Sequence, residues 1–209
     1  MNILQINSSI FSGDGQSSAL ANEFVARLRA QNPGAHLTVR DLAADPVPHL
    51  DAARFGAFLA KPEDRTPAQQ TVAAYSDALV AELKAADVVV LGVPLYNFGL
   101  PSTLKAYFDH LGRAGVTFRY TEKGPVGLLT GKKVYVLATR GGFYAGTPND
   151  TQTPYIRAFL SFIGMSDIEF VYAEGLAISE ASKQQGIARA RAEVDRLANA
   201  EREPEFAAA

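Results

Sequence analysis

The sequence predicts a doubly wound α/β fold: a parallel sheet of five strands in the order 2-1-3-4-5, with helices on both faces and right-handed crossovers. Three observations carry this. Short apolar runs alternate along the chain with segments of helical spacing. The runs are rich in β-branched residues, Asp87-Val88-Val89-Val90-Leu91-Gly92-Val93 above all, as expected of strands buried on both faces. The first, third and fourth runs each lead into a loop of Ser, Gly, Pro or aromatic residues, at the strand ends where open sheets of this kind hold ligands.

Ile3 to Ile6 form the first strand. Ser17 to Leu28 follow with Leu20, Phe24, Val25 and Leu28 at helical spacing, stopped by Asn32-Pro33-Gly34. His36 to Asp41 form the second strand, after which the Pro46 and Pro48 connection and residues Asp51 to Ala60 read as irregular. Thr66-Pro67 is an N-cap with proline at the first helical position, opening a helix to about Ala85. Pro94 closes the third strand and biases Val93 toward extended geometry, while Pro101 suits the first turn of the next helix. Phe118-Arg119-Tyr120 and Val126-Gly127-Leu128 flank Thr121-Glu122-Lys123-Gly124 as a hairpin excursion. Lys133 to Ala138 form the fourth sheet strand and Pro154 to Ile163 a helix. Ile168 to Tyr172 form the fifth strand and Ser179 to Leu197 a final amphipathic helix. One domain is expected over residues 1–200, and Glu201 to Ala209, without periodicity, reads as a disordered or appended tail.

Composition narrows the function classes. The 209 residues are 47% hydrophobic and 20% charged, which suits one globular domain with a substantial core. A formal net charge of -2, with no basic stripe, argues against nucleic acid and membrane surfaces as partners. The chain has no cysteine, which excludes disulfides, thiol nucleophiles and thiolate-bound metals. Met1 to Asn7 lacks the cationic start of a signal sequence, and no apolar run is long enough to span a bilayer, so a soluble cytoplasmic protein is expected. His36, His49 and His110 show no metal-ligand spacing, and surface or structural roles are expected of all three. Asp109 reads as a structural hydrogen-bonding or ion-pairing residue, and Lys61, Glu63, Asp64 and Arg65 as a solvated loop.

Three loops carry the candidate chemistry. The first, Asn7 to Ser18, is rich in hydroxyls and glycine and opens a helix. Free backbone N–H groups there, with Ser9, Ser17 and Ser18, form either a phosphate cradle or an N-capped turn. It matches neither the Gly-x-Gly-x-x-Gly fingerprint nor a Walker loop, which disfavours a dinucleotide Rossmann site and an NTPase. The second, Pro94 to Gly99, presents Tyr96 and Phe98, either as the wall of a ligand site or as core aromatics. In the third, Ala138 to Tyr144, the pair Gly141-Gly142 allows a planar ligand close to the backbone or marks a turn. Arg140 is an anion anchor or a solvated loop residue.

Together these segments resemble the FMN-dependent NADH-azoreductase and quinone reductase family, which has the flavodoxin-like fold. The resemblance rests on Ser8-Ser9 with Gln16-Ser17, Pro94-Leu95-Tyr96-Asn97-Phe98, Leu104-Lys105-Ala106-Tyr107-Phe108-Asp109, Ala114 to Thr121, Thr139-Arg140-Gly141-Gly142 and Phe162-Ile163-Gly164-Met165. It extends from Ile3 to about Leu197. It implies that Ser9, Gly15, Gln16 and Ser17 bind the FMN phosphate, that Leu95, Tyr96, Asn97 and Phe98 line the isoalloxazine, and that Thr139, Arg140, Gly141 and Gly142 contact its polar edge. Leu95 stands where the family often has methionine and Thr139 where it often has serine, changes that keep size and hydroxyl respectively. The resemblance also implies a homodimer with flavin sites at the subunit interface. Phe118, Tyr120, Phe143 and Tyr144 are the expected substrate pocket, and the stretch from Phe143 to Pro148 is the part that varies within the family.

The implied chemistry needs no catalytic side chain and no metal, because the flavin accepts a hydride from NADH or NADPH and then passes two electrons to a quinone or an azo compound. Gly141 or Gly142 is expected to supply backbone N–H groups toward negative charge on the reduced ring. Two other classes remain open from the sequence: a flavodoxin-type electron carrier, though such carriers tend to be smaller and strongly acidic, and a reductase that releases reduced FMN. No ribose-reading motif separates NADH from NADPH.

Overall fold

The computed structural model describes residues 1–200. Its main sheet is formed by β1 (Asn2–Asn7), β2 (His36–Asp41), β3 (Val88–Pro94), β6 (Lys133–Thr139) and β7 (Asp167–Ala173). They lie in the order β2-β1-β3-β6-β7, and every neighbouring pair is parallel. The hairpin strands β4 (Phe118–Thr121) and β5 (Gly124–Gly127) form a separate antiparallel pair. With these set aside, the sheet has the predicted order 2-1-3-4-5.

The period of two along each strand divides the core between the sheet's faces. Leu4, Ile6, Val89, Leu91, Val134 and Val136 pack with α3 (Pro67–Ala85), α4 (Ser102–Leu111) and α5 (Gln152–Phe162). Ile3, Val88, Val90, Tyr135 and Leu137 pack on the other face with α1 (Gln16–Gln31) and α6 (Glu180–Ala200). All seven residues of β3 are buried, as its unbroken apolar run requires. Gly92 in that strand is needed for steric reasons. A Cβ there would lie 3.0 Å from the Ser17 carbonyl oxygen, so glycine lets the first turn of α1 settle onto the sheet.

One expectation is overturned. Residues Asp51 to Ala60 are not irregular but contain α2 (Ala52–Leu59), capped by the Asp51 side chain accepting from the Arg54 N–H at 2.8 Å. The helix is only eight residues long with Gly56 in its middle, too short for helical spacing to be told from a loop; it docks through the buried Ala57 and through Phe58, whose ring meets His110 edge-on at 5.5 Å. Smaller shifts occur at helix ends. Pro101 is the residue before α4 rather than in its first turn, and α5 begins two positions before Pro154. Glu201 to Ala209, read as a tail, lie outside the described residues.

The hairpin has a definite place. The Thr117 hydroxyl donates to the Leu111 carbonyl at 2.5 Å, Leu128 N–H to the Thr117 carbonyl at 2.9 Å and Leu129 N–H to the Ile163 carbonyl at 2.9 Å. It is therefore fastened to the C-terminal ends of α4 and α5. Those helices run antiparallel to the strands, so their C-termini lie at the amino edge of the sheet. The loops that follow β1, β3 and β6 lie at the opposite, carboxyl edge, about 20 Å away for strands of this length. Among the described residues no helix is long and apolar enough to cross a membrane.

Candidate functional site

The chain leaving β1 folds back on itself before it enters α1. Ser8 Oγ donates to the Gly92 carbonyl at 2.8 Å, Ser12 N–H to Ser9 O at 3.0 Å and Asp14 N–H to Phe11 O at 3.1 Å. Ser12 has a φ of 50°, and its hydroxyl is hydrogen-bonded to the Asp41 carboxylate. Gly15 is the N-cap of α1 and provides no side-chain cap, which leaves the N–H groups of the first turn without that usual partner. Ser17 and Ser18, in this turn, are buried, and neither hydroxyl has a hydrogen-bond partner among the described residues. An unpaired buried hydroxyl costs about 1–3 kcal/mol. Two of them beside the positive end of a helix dipole make a site suited to a multivalent anionic acceptor. A Cβ on Gly15 would collide with the Ser9 side chain, so glycine is what allows the Ser9 hydroxyl to lie beside the helix start.

The second loop is a tight turn. Tyr96 and Gly99 exchange backbone hydrogen bonds of 3.3 and 2.8 Å around Asn97 and Phe98, whose φ values are 49° and 60°. Left-handed backbone suits Asn but strains Phe, and strain of this kind persists where surrounding contacts impose it. Those contacts come from the start of α5. Gln152 Nε2 donates to Pro94 O at 3.0 Å and Gly99 O at 3.4 Å, and the Thr151 hydroxyl donates to Phe98 O. The Tyr96 hydroxyl lies 3.3 Å from Ser9 Oγ, joining the second loop to the first.

The third loop is pinned to the one that follows β7. Ala177 N–H donates to Gly141 O and Gly175 N–H to Gly142 O, both at 3.0 Å. Neither glycine of the pair has a positive φ. The need for glycine is steric: a Cβ on Gly141 would lie 3.2 Å from the Ala177 methyl, and one on Gly142 would lie 2.8 Å from the Tyr144 ring.

The loops meet in a cleft of about 180 Å³ lined by Ser9, Gly15, Gln16, Leu95, Tyr96, Thr139, Arg140 and Gly141. Phe11, Pro94 and Leu176 complete its lining and were not among the expected cofactor contacts. The loop of Gly175 to Ala177 is thus a fourth element of the site, whose only sequence signal was Glu174-Gly175 directly after the fifth strand. Of the expected contacts, Ser17, Asn97, Phe98 and Gly142 are not in this lining, and the Ser17 hydroxyl is buried in the first turn of α1. Phe98 instead borders a neighbouring cavity of about 280 Å³ with Leu100, Lys105, Gln152 and Tyr155, and its ring meets Tyr144 edge-on at 5.5 Å. Phe143 stands 58% exposed.

Several expected roles are revised. Arg140 is not a solvated loop residue: its side chain is fully buried, and its guanidinium is paired with Asp150 at 2.8 Å and Glu174 at 3.3 Å rather than free to anchor an anion. Phe118 and Tyr120 do not join this cleft within one chain, because the hairpin sits at the other edge of the sheet. Phe118 is buried against Phe162, with ring centroids 4.3 Å apart, and only Tyr120, 74% exposed, presents an accessible ring. His110 is buried at the far end of α4 between Phe58 and Tyr75, with Nε2 at 3.0 Å from the Pro48 carbonyl, and Asp109 is ion-paired with Lys105. Among the described residues no group of His, Cys, Asp and Glu is placed to hold a metal ion.

The chain matches known proteins along nearly its whole length. The family model for the flavodoxin-like fold covers residues 1–198. The chain is 58% identical over 193 residues to the FMN-dependent NADH:quinone oxidoreductase of Cellvibrio japonicus (strain Ueda107), covering 92% of this chain and 96% of that one. It is 57% identical over 194 residues to the protein of the same name from Alcanivorax borkumensis (strain ATCC 700651 / DSM 11573 / NCIMB 13689 / SK2), covering 93% and 98%. Among solved structures, an FMN-dependent NADH-azoreductase from Bacillus anthracis str. Ames Ancestor in complex with FMN superposes with a TM-score of 0.88 at 27% identity, covering 97% of this chain and 99% of that one. By sequence and by fold, this chain belongs to the flavodoxin-like family of FMN-dependent NADH:quinone oxidoreductases.

Proposed function

We propose that this protein is an FMN-dependent oxidoreductase that takes two electrons from NADH or NADPH and delivers them to quinones, and to aromatic azo compounds, which it cleaves to amines. The observation that carries the reading is the pair of buried, unpartnered hydroxyls of Ser17 and Ser18 at an N-terminus capped only by glycine. That arrangement fits the terminal phosphate of FMN, with Ser9, Gly15 and Gln16 at its rim. The first loop offers one such cradle and no second, which favours FMN over FAD. The curated relatives named FMN-dependent NADH:quinone oxidoreductase support the same reading.

When bound, the flavin supplies hydride acceptance and donation. The chain's own residues bind and orient it. Leu95 and Tyr96 form one wall, with the strained turn of Asn97 and Phe98 at its border. Thr139, the Arg140 backbone, Gly141 and Gly142 form the opposite edge. The Gly141 and Gly142 carbonyls are already taken by Ala177 and Gly175, so what that pair can offer negative charge is its N–H groups. Residues 1–200 act as one domain. A homodimer completes the site: the exposed Tyr120 of one copy can reach the open aromatic mouth formed by Phe98, Phe143 and Tyr144 of the other, which supports a substrate pocket shared between subunits. A cytoplasmic setting is supported by the electron donor, a nucleotide of the cell interior.

Cofactor extraction and anaerobic titration test this. The purified protein should release about one FMN per chain. NADH should bleach its flavin absorbance and benzoquinone restore it, with the flavin staying on the protein through gel filtration. Recovery of FAD, or no flavin after refolding with FMN, would overturn the cofactor assignment. Release of the flavin during turnover would point instead to an FMN reductase.

A further inference from the structure

We propose that Glu174, working with the buried Arg140, is a positioning residue that sets which electron acceptors the protein prefers. The proposal rests on the functional reading above for the word acceptor, and on the geometry for everything else. The loop from Phe143 to Asp150 leaves the carboxyl edge of the sheet beside the cleft and carries Phe143 and Tyr144 at its mouth. A loop of this length with a half-exposed aromatic would ordinarily be mobile.

Both of its ends are tied to one buried ion cluster. Near the start, Glu174 Oε1 accepts from the Tyr144 N–H and the Ala145 N–H, each at 2.8 Å, and from Arg140 Nη1 at 3.3 Å. At the far end, Asp150 Oδ1 accepts from Arg140 Nη2 at 2.8 Å and from the Thr153 N–H at 3.1 Å, while Asp150 Oδ2 accepts from the Gly146 N–H at 3.4 Å. The guanidinium also donates to Thr153 Oγ1 at 2.9 Å and lies 4.7 Å from the centre of the Tyr172 ring.

Such a cluster is a poor choice for stability alone, since charged groups give up hydration on burial. Its geometric effect is specific. One carboxylate oxygen holds two successive backbone amides of the loop, and the cation behind it holds that carboxylate. Tyr144 is thereby kept edge-on to Phe98, and Phe143 is kept beside Gly175, where an added Cβ would come within 2.5 Å of its ring. Small acceptors that enter the cleft need little from this loop. Large aromatic ones must pass or stack on it, so loss of the anchor separates the two classes.

The experiment has one arm that needs no activity. In the purified holoprotein, hydrogen exchange at Tyr144 and Ala145 should be at least about tenfold slower than at exposed loop amides, because both N–H groups end on Glu174. Exchange at unprotected rates would overturn the anchor whatever the protein's reaction. In the second arm, Glu174→Ala should change KM for a large azo dye by about tenfold relative to KM for benzoquinone, with flavin content and the rate of flavin reduction by NADH within about twofold. Glu174→Gln, whose amide oxygen can still accept from both loop N–H groups, should recover most of the wild-type ratio. Equal changes for both acceptors, or no recovery with Gln, would leave Glu174 a merely structural residue and overturn the proposal. If the Ala variant does not fold, the exchange arm and the Gln variant still decide it: protected amides with a near-wild-type ratio in Gln sustain the anchor, and a Gln variant as impaired for small acceptors as for large ones overturns it. Failure of NADH to reduce the flavin of the wild type would count against the function and not against the anchor.

Discussion

At Ser17 a hydroxyl is buried without a partner among the described residues, so its removal should separate folding from binding. Ser17→Ala deletes an unpaired group and should leave the melting temperature of the flavin-free protein unchanged or slightly higher, while weakening FMN by about tenfold, some 1.5 kcal/mol for a charge-assisted hydrogen bond. Calorimetric melts and flavin titration of the two proteins make the comparison. Gly141→Val acts differently, since its side chain would press on Ala177 and on the backbone beside the cleft. Misplacement of about 1 Å there should slow anaerobic flavin reduction on the order of a hundredfold, with Asp109→Asn changing it only modestly. Equal effects of the two substitutions would contradict a site in which the backbone does the orienting. His110 carries a prediction for acid stability. Burial lowers its pKa below the ordinary histidine value, and the bond to the Pro48 carbonyl only partly offsets this. That carbonyl can only accept, so Nε2 carries a proton in the folded protein. As pH falls below about 6.5 the unfolded chain binds a proton that the folded one refuses, so this contribution is full above that pH and is lost as pH falls through the lower folded value. Denaturant melts between pH 7.5 and 5 should show this slope in the wild type and a flatter one in His110→Phe.

Two helix starts illustrate a contrast at the scale of elements. The first turn of α3 is closed on itself: Thr66 Oγ1 accepts from the Gln69 N–H at 3.3 Å, and Gln69 Oε1 accepts from the Thr66 N–H at 3.0 Å. The first turn of α1 is left open under Gly15. One start serves stability and the other a ligand. Thr66→Ala should cost about 1 kcal/mol of stability and leave flavin affinity as it was. Gly92→Ala should do both kinds of damage, because the new methyl must displace the Ser17 carbonyl and with it the start of α1: overpacking of about 1–3 kcal/mol, accompanied by weaker flavin binding. Chemical denaturation and flavin titration on the same two variants test the pair. If Gly92→Ala lost stability but kept full affinity, the close seat of α1 on β3 would have no part in building the cradle.

For the molecule as a whole, the arrangement of aromatic surface is the main datum. Tyr120, Phe98 and Phe143 are 74%, 54% and 58% exposed, at two edges of the sheet that one chain cannot bring together. A second copy can. Sedimentation at micromolar concentration should give twice the chain mass, and Tyr120→Ser should lower acceptor turnover more than it lowers flavin content. A monomer with full activity would contradict a pocket shared between subunits.

Much of this architecture was legible in the chain itself. The alternation of β-branched runs with helical stripes determined the doubly wound parallel fold, because side-chain periodicity reports directly which faces are buried, while the order 2-1-3-4-5 was a choice between the two common orders of such sheets. The cap at Thr66 and the hydroxyl-rich helix start at Gln16 were equally local, each set by residues within one turn. What only the tertiary structure decided were matters of partnership across distance. Arg140 turned away from the cleft because Asp150 and Glu174, 10 and 34 positions along the chain, were there to receive its charge. Leu176 joined the cleft because β7 carried its loop alongside β6. The hairpin went to the far edge because Thr117 and Leu129 bond to the last turns of α4 and α5, and α2 stayed hidden because eight residues interrupted by Gly56 are too few to set a helical period. Periodicity records how a segment meets the core, whereas the partner of a charged or aromatic side chain is chosen by which distant residues the fold brings within reach.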